Sequence, residues 1–134
     1  MKVAVVDANV ILRFLTNDVL VQANKVRERF KEAARGKIDL AILPITVVEI
    51  VFLLEHWYQY GRGEICDKLL LLFAPEWMNL QSKAAVFEAL RVYKERNIDF
   101  VDVLLWGIAR DEQRAVLSFD KDFDKLDPKI RLEP

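Results

Sequence analysis

Asp7, Glu49, Asp102 and Asp120 are the residues of this sequence best suited to do chemistry. Asp7 closes a short β-branched run, Lys2–Val6, and Asp120 follows another apolar run, Ala115–Phe119. An acid at the end of an apolar strand is costly unless its charge is compensated. Two carboxylates about 4 Å apart repel by roughly 4 kcal/mol at an effective dielectric near 20. A group of four therefore takes up protons or binds cations. Carboxylate oxygens select hard ions such as Mg²⁺ or Mn²⁺. With one histidine (His56) and one cysteine (Cys66), the chain holds no rival His/Cys ligand set. One or two such ions can orient a water, lower its pKa and stabilise the leaving oxygen in an in-line displacement at a phosphodiester.

Each acid also has a local alternative. Asp7 could cap the short helix that follows it. Glu49 could complete a capping box that begins at Thr46. Asp99 could be the N-cap of its helix, and Asp102, three residues on, could support that cap or the helix dipole. Asp120 and Asp122 are also turn residues by type. Asn9 serves equally as a helix cap or as an amide bonded to an acidic ligand. Ser118 is strand filler, or a hydroxyl that steadies a carboxylate or a water. Their joint placement, more than any single residue, points to a site.

That placement rests on alternating strands and helices. Strands are expected at 2–6, 38–43, 76–80, 115–119 and 130–132, by β-branched or apolar runs bounded by turn residues. Lys2–Val6 reads as a buried strand. Helices are expected at 9–15, from a cap among Thr16, Asn17 and Asp18 to Ala34, from Thr46 to Tyr58, from Ile65 to Phe73, from a Ser82 cap to Arg96, and over 99–112. Gly36 ends the second helix. The alternation implies an α/β fold: a three-layer α/β/α sandwich around a central parallel sheet of four to five strands, in one domain over residues 1–134. Ligands of such sheets bind at the carboxyl ends of the strands, which places the four acids at one edge.

Composition narrows the partners. Apolar residues make up 53% of the chain, which excludes disorder, and the formal net charge of −1 excludes coating duplex DNA by bulk charge. Six basic residues lie between Lys25 and Lys37 against Glu28 and Glu32, whereas from Asp99 to Asp127 eight acids face four cations. That asymmetry suits a phosphate-contacting helix beside an acidic pocket, and equally two solvated faces. A single cysteine excludes an intrachain disulfide. The N-terminus has no signal-peptide pattern and no apolar stretch is long enough to span a bilayer, so the expected location is the cytoplasm, without membrane contact. Trp57, Tyr58 and Tyr60 could stack on RNA bases or pack internally.

Other motifs fail. Asp7-Ala8-Asn9 is similar to the D-x-D of haloacid-dehalogenase-like phosphatases, but Asn9 cannot transfer a proton. Asp120, Asp122 and Asp124 begin like an EF-hand loop, yet Lys125 and Arg131 stand where the loop needs Gly and Glu.

VVDANVILRFL, ITVVEIVFLL and IDFVDVLLWGIA followed by VLSFDKDF occur in that order over nearly the whole chain. In these pieces the chain resembles PIN domains, and within them the toxin components of VapBC toxin–antitoxin modules. The resemblance implies an acidic quartet on Asp7, Glu49, Asp102 and Asp120, with Asn9, Asp99, Ser118 and Asp122 as supporting polar neighbours. It implies an endoribonuclease that cuts single-stranded or loop RNA with one or two Mg²⁺ or Mn²⁺ ions per site, leaving 5′-phosphate and 3′-hydroxyl ends. It further implies a homodimer and a cognate VapB-like antitoxin. A nuclease of RNA processing outside a toxin system, and a non-catalytic RNA- or protein-binding module, are the other uses such a fold allows. One departure stands out: large Trp106 precedes Gly107 after the third acid, where small residues are usual, which suggests local compensation in volume.

Overall fold

The computed structural model describes residues 2–134. In chain order the elements are β1 (Lys2–Val5), α1 (Ala8–Thr16), α2 (Leu20–Ala34), β2 (Ile38–Ile42), α3 (Pro44–His56), α4 (Arg62–Phe73), β3 (Met78–Leu80), α5 (Lys83–Glu95), α6 (Phe100–Asp111), β4 (Val116–Leu117), α7 (Phe123–Leu126) and β5 (Arg131–Leu132). The chain divides into two compact units, residues 1–81 and 82–134. All strand pairings are parallel, as strands separated by helices require.

The first unit holds a three-stranded sheet in the order β1-β2-β3. Val5 pairs with Ala41 and Ile42 with Leu80, and the Val6 amide extends the ladder by donating to the Ala41 carbonyl at 2.9 Å. Ile11 and Leu12 of α1, Val47, Ile50 and Leu54 of α3, and Ile65, Leu69 and Phe73 of α4 are at most 1% exposed and form its core. Cys66 is buried among them, a packing residue. β1 is an edge strand, with Val3 72% and Val5 63% exposed. The expectation of a buried strand is thereby corrected: β-branching reports fit to a pleated backbone, not which face is covered.

Helix boundaries follow backbone chemistry more than side-chain type. Gly36 takes φ 75° after α2, and the Lys37 amide bonds back to the Glu32 carbonyl at 2.9 Å, a glycine-terminated helix end as expected. α3 starts at Pro44, whose ring fixes a helical φ at the first position. The Thr46–Glu49 capping box therefore does not form. Thr46 is already inside the helix, and the amides of Thr46 and Val47 bond to the Leu43 carbonyl. Similarly, α2 begins after Val19 with no side-chain cap. Thr16 donates instead to the Leu12 carbonyl at 2.7 Å, and Tyr58 donates to Asp18 at 2.7 Å, which ties the α1–α2 turn to the chain beyond α3. Ser82 precedes α5 in a left-handed conformation (φ 54°) and makes no capping bond.

In the second unit α5 and α6 pack over much of their length, and β4 pairs with β5. Val86, Ala89, Leu90 and Tyr93 of α5 and Phe100, Val103, Leu104 and Trp106 of α6 are buried, and the Tyr93 and Phe100 rings meet edge-on with centres 5.5 Å apart. Gly107 makes the close approach possible: a Cβ there would stand 3.0 Å from the Ala85 carbonyl oxygen. The gap faces Ala85 and Ala89 of α5, whereas the Trp106 ring lies against Arg110. Alanine is favoured over glycine in a helix by about 1 kcal/mol, but overpacking costs typically about 1–3 kcal/mol. Gly107→Ala should therefore lower the melting temperature, and Gly107→Val should lower it further. Melting of Gly107→Ala at or above the wild-type temperature would show that the helices are free to separate.

Candidate active site

In the first unit, Asp7 stands at the carboxyl end of β1 and at the N-cap of α1, exposed. Its carboxylate makes no capping bond, and the helix start is closed by the Asp7 carbonyl, which accepts from the Val10 amide at 3.1 Å. The local alternative, that Asp7 exists to cap α1, is therefore not what its side chain does. Asn9 is exposed in the first turn of the same helix, with no side-chain hydrogen bond among the described residues. Glu49 is exposed in the second turn of α3, not the first. α1 and α3 pack directly on each other.

In the second unit, Asp99 occupies the N-cap of α6 by backbone position, again without a side-chain cap, and Asp102 lies in the first turn. Asp120 follows β4. Its amide donates to the Ser118 hydroxyl oxygen at 2.9 Å, and its Oδ1 accepts from the Asp122 amide at 2.9 Å. Ser118 is thus more than strand filler: it shapes the turn that presents Asp120. Burial pushes the Asp102 carboxyl above its ordinary proton affinity, and the charges of Asp120, Asp99 and Asp122 push it the same way. Asp102 therefore lies within electrostatic reach of three other acids. Asp122 is offset by Lys125 at 3.0 Å, whereas no ion pair compensates Asp99, Asp102 or Asp120 among the described residues.

The donor set fits a hard divalent cation: oxygen ligands only, in a group whose repulsion a cation would relieve. No group of three or more His, Cys, Asp or Glu side chains poised around a metal ion is found among the described residues.

The other candidates separate cleanly. His56 is exposed, against Phe52 (4.6 Å between ring centres) and Glu55, away from any ligand set. Tyr58 is engaged with Asp18 and stacks edge-on with Tyr60 at 6.2 Å, while Trp57 is exposed. On α2, Arg29 pairs with Glu32 and Lys31 with Glu28, each at 3.1 Å. Arg27 turns to Asn17, Asn24 and the Phe14 ring. Half of the basic stretch is therefore satisfied on its own surface. No helix among the described residues is long and apolar enough to cross a membrane.

A family model described as PIN domain matches residues 4–129. The chain belongs to the PIN domain family. The PIN fold is a three-layer α/β/α arrangement, and its parallel strands and flanking helices account for the elements seen here. Among curated relatives, a VapC ribonuclease of Aquifex aeolicus (strain VF5) is 27% identical over 121 residues, covering 90% of this chain and 89% of the relative. The PIN match runs from the strand before Asp7 to beyond Asp122, so every acid considered above lies inside it. Arg131, which spacing alone did not single out, lies just past its end and bonds to the loop that follows β4.

The raised proton affinity of Asp102, set first by burial and then by its acidic neighbours, has a thermodynamic sign. A carboxyl whose folded pKa is raised carries a penalty at neutral pH. The penalty is relieved as pH falls from that raised value toward the ordinary 3.8. Asp102→Asn should therefore melt at a higher temperature than wild type in metal-free buffer at neutral pH, with the difference shrinking as the pH is lowered through that interval. A variant that melts lower at neutral pH would show that Asp102 is held by favourable contacts instead.

Proposed function

We propose that this chain is a Mg²⁺- or Mn²⁺-dependent endoribonuclease that hydrolyses phosphodiester bonds in single-stranded or loop RNA, as the toxin of a toxin–antitoxin pair. The observation that carries the reading is the uncompensated carboxylate group around Asp102 in a chain of the PIN family. The similarity to a VapC ribonuclease supports RNA as the substrate and a VapB-like antitoxin as the partner.

In this reading Asp7, Glu49, Asp102 and Asp120 hold one or two ions. When bound, such ions supply Lewis acidity at the phosphate and lower the pKa of the attacking water. The chain's own part is to fix the carboxylates. Ser118 and the Asp122 amide set the turn at Asp120. Asp99 and Asp122 add negative potential that attracts a cation to the site, and Asn9 offers an amide beside Asp7. All of residues 1–134 serve as one domain, since the family match spans both compact units. Exposed Ile45 and Phe52, seven residues apart on α3, support a homodimer. The cytoplasm, where RNA and a co-synthesised antitoxin meet, is the location this use requires.

Purified protein should cut unstructured RNA with Mg²⁺ or Mn²⁺, leave 5′-phosphates, and stop when a chelator is added. Asp7→Asn should lose at least about 100-fold in rate, since even the outer partners of metal ligands cost about 10–100-fold. Cleavage that survives either the chelator or the substitution would contradict the reading. RNA binding without cleavage would favour a non-catalytic module. Growth arrest on expression, relieved by a small reading frame encoded beside the gene, separates a toxin from an RNA-processing nuclease.

A further inference from the structure

The loop that carries Asp120 and Asp122 is spanned by one side chain. Arg131, at the start of β5, grips Asp124 with two bonds, Nε to Oδ1 at 3.1 Å and Nη2 to Oδ2 at 3.3 Å. Its Nη1 donates to the Ser118 carbonyl at 3.1 Å and also reaches Glu133. Ser118 lies two residues before Asp120 and Asp124 four residues after it, so a single planar group joins the two ends of the loop. The side chain is only 13% exposed. The guanidinium fork suits this role because its donors are rigidly disposed and match a carboxylate in two places at once.

The loop needs such a brace. β4 and β5 are two residues each and α7 is four, too short to be stable alone. The Ser118 and Asp120 side chains fix local turns but bond only within the loop. Phe123, 3% exposed, anchors one point. Arg96 holds the far end of α7 through the Lys125 carbonyl at 2.7 Å. Arg131 is the group that links the residues on both sides of Asp120. Its charge is already balanced by Asp124 and Glu133, so its effect on Asp120 is one of geometry.

We propose that Arg131 is a positioning residue for Asp120: by bridging Ser118 and Asp124 it holds the Asp120 carboxylate in the place from which it binds a divalent cation. This rests on the proposed site, so the experiment tests both separately. Mn²⁺ binding is followed by the loss of the free-ion electron paramagnetic resonance signal, without RNA, in wild type, Asp120→Asn, Arg131→Gln, Arg131→Lys, Asp124→Asn and Arg96→Gln. Melting temperatures are measured alongside.

Asp120→Asn should abolish or severely weaken binding. Arg131→Gln should raise the Mn²⁺ Kd by about 10-fold, the lower end for outer partners of metal ligands. Arg131→Lys should show most of that loss, because it keeps the charge and loses the fork. Arg96→Gln should bind Mn²⁺ as wild type does even where it melts lower. If Arg131→Gln does not fold, Asp124→Asn carries the test, since it removes the bidentate contact and leaves Arg131 and Ser118 in place. It too should weaken binding several-fold. Wild-type Kd in the folded Arg131 and Asp124 variants, with binding lost in Asp120→Asn, would overturn the positioning role and leave the site standing. Equal weakening in Arg96→Gln would reduce Arg131 to a general stabiliser and overturn the proposal. Unchanged binding in Asp120→Asn would overturn the site and the proposal together.

Discussion

Burial of the Asp102 carboxylate, reinforced by the like charges of Asp120, Asp99 and Asp122, is the electrostatic cost that the rest of the second unit has to withstand. Nothing in that unit neutralises it fully: Lys125 answers Asp122 alone. What opposes it is packing and backbone chemistry. α6 is seated on α5 through the gap that Gly107 leaves, so the helix start bearing Asp99 and Asp102 cannot drift away. The positive end of the α6 dipole lies at the same place and favours both acids. Across from it, the Ser118–Asp124 loop is held by hydrogen bonds that use the carbonyl, amide and hydroxyl groups beside Asp120 and leave its second carboxylate oxygen open.

Such an arrangement keeps a cost in the free protein that a ligand can remove. A hard cation removes it most directly, and phosphodiester hydrolysis is the chemistry that such cations assist. The near-zero net charge fits this division of labour. The chain need not attract a polyanion through its whole surface if bound ions meet the scissile phosphate, and much of the cationic charge on α2 is spent on neighbouring acids. The PIN family match and the similarity to a VapC ribonuclease support a nuclease, from a direction independent of the electrostatics.

Much of this was legible in residue types and spacing. Apolar runs ending at Asp7 and Asp120, the glycine at the end of α2 and the helical stretch after Asp99 locate the acids on their elements. The failures share a cause. Ser82, Thr46 and Asp18 are good caps by type, but capping depends on backbone dihedrals and competing partners. Ser82 is left-handed, Thr46 follows a proline that starts the helix earlier, and Asp18 is taken by Tyr58. α7 escaped notice because its four residues have no periodicity and one buried anchor, Phe123. Arg131 was invisible for a different reason: its partners lie 7 and 13 residues away, and no local pattern encodes them. The exposure of Val3 and Val5 is likewise a property of the assembled sheet, not of the strand.

The central claim is that Asp7, Glu49, Asp102 and Asp120 serve together as ligands of catalytic ions. Its most direct test is anomalous diffraction at the manganese edge from crystals of the protein grown with Mn²⁺. The account predicts one or two anomalous peaks coordinated by carboxylate oxygens drawn from these four residues. Manganese bound solely by other side chains, or four carboxylates turned to solvent with no metal between them at saturating Mn²⁺, would contradict it.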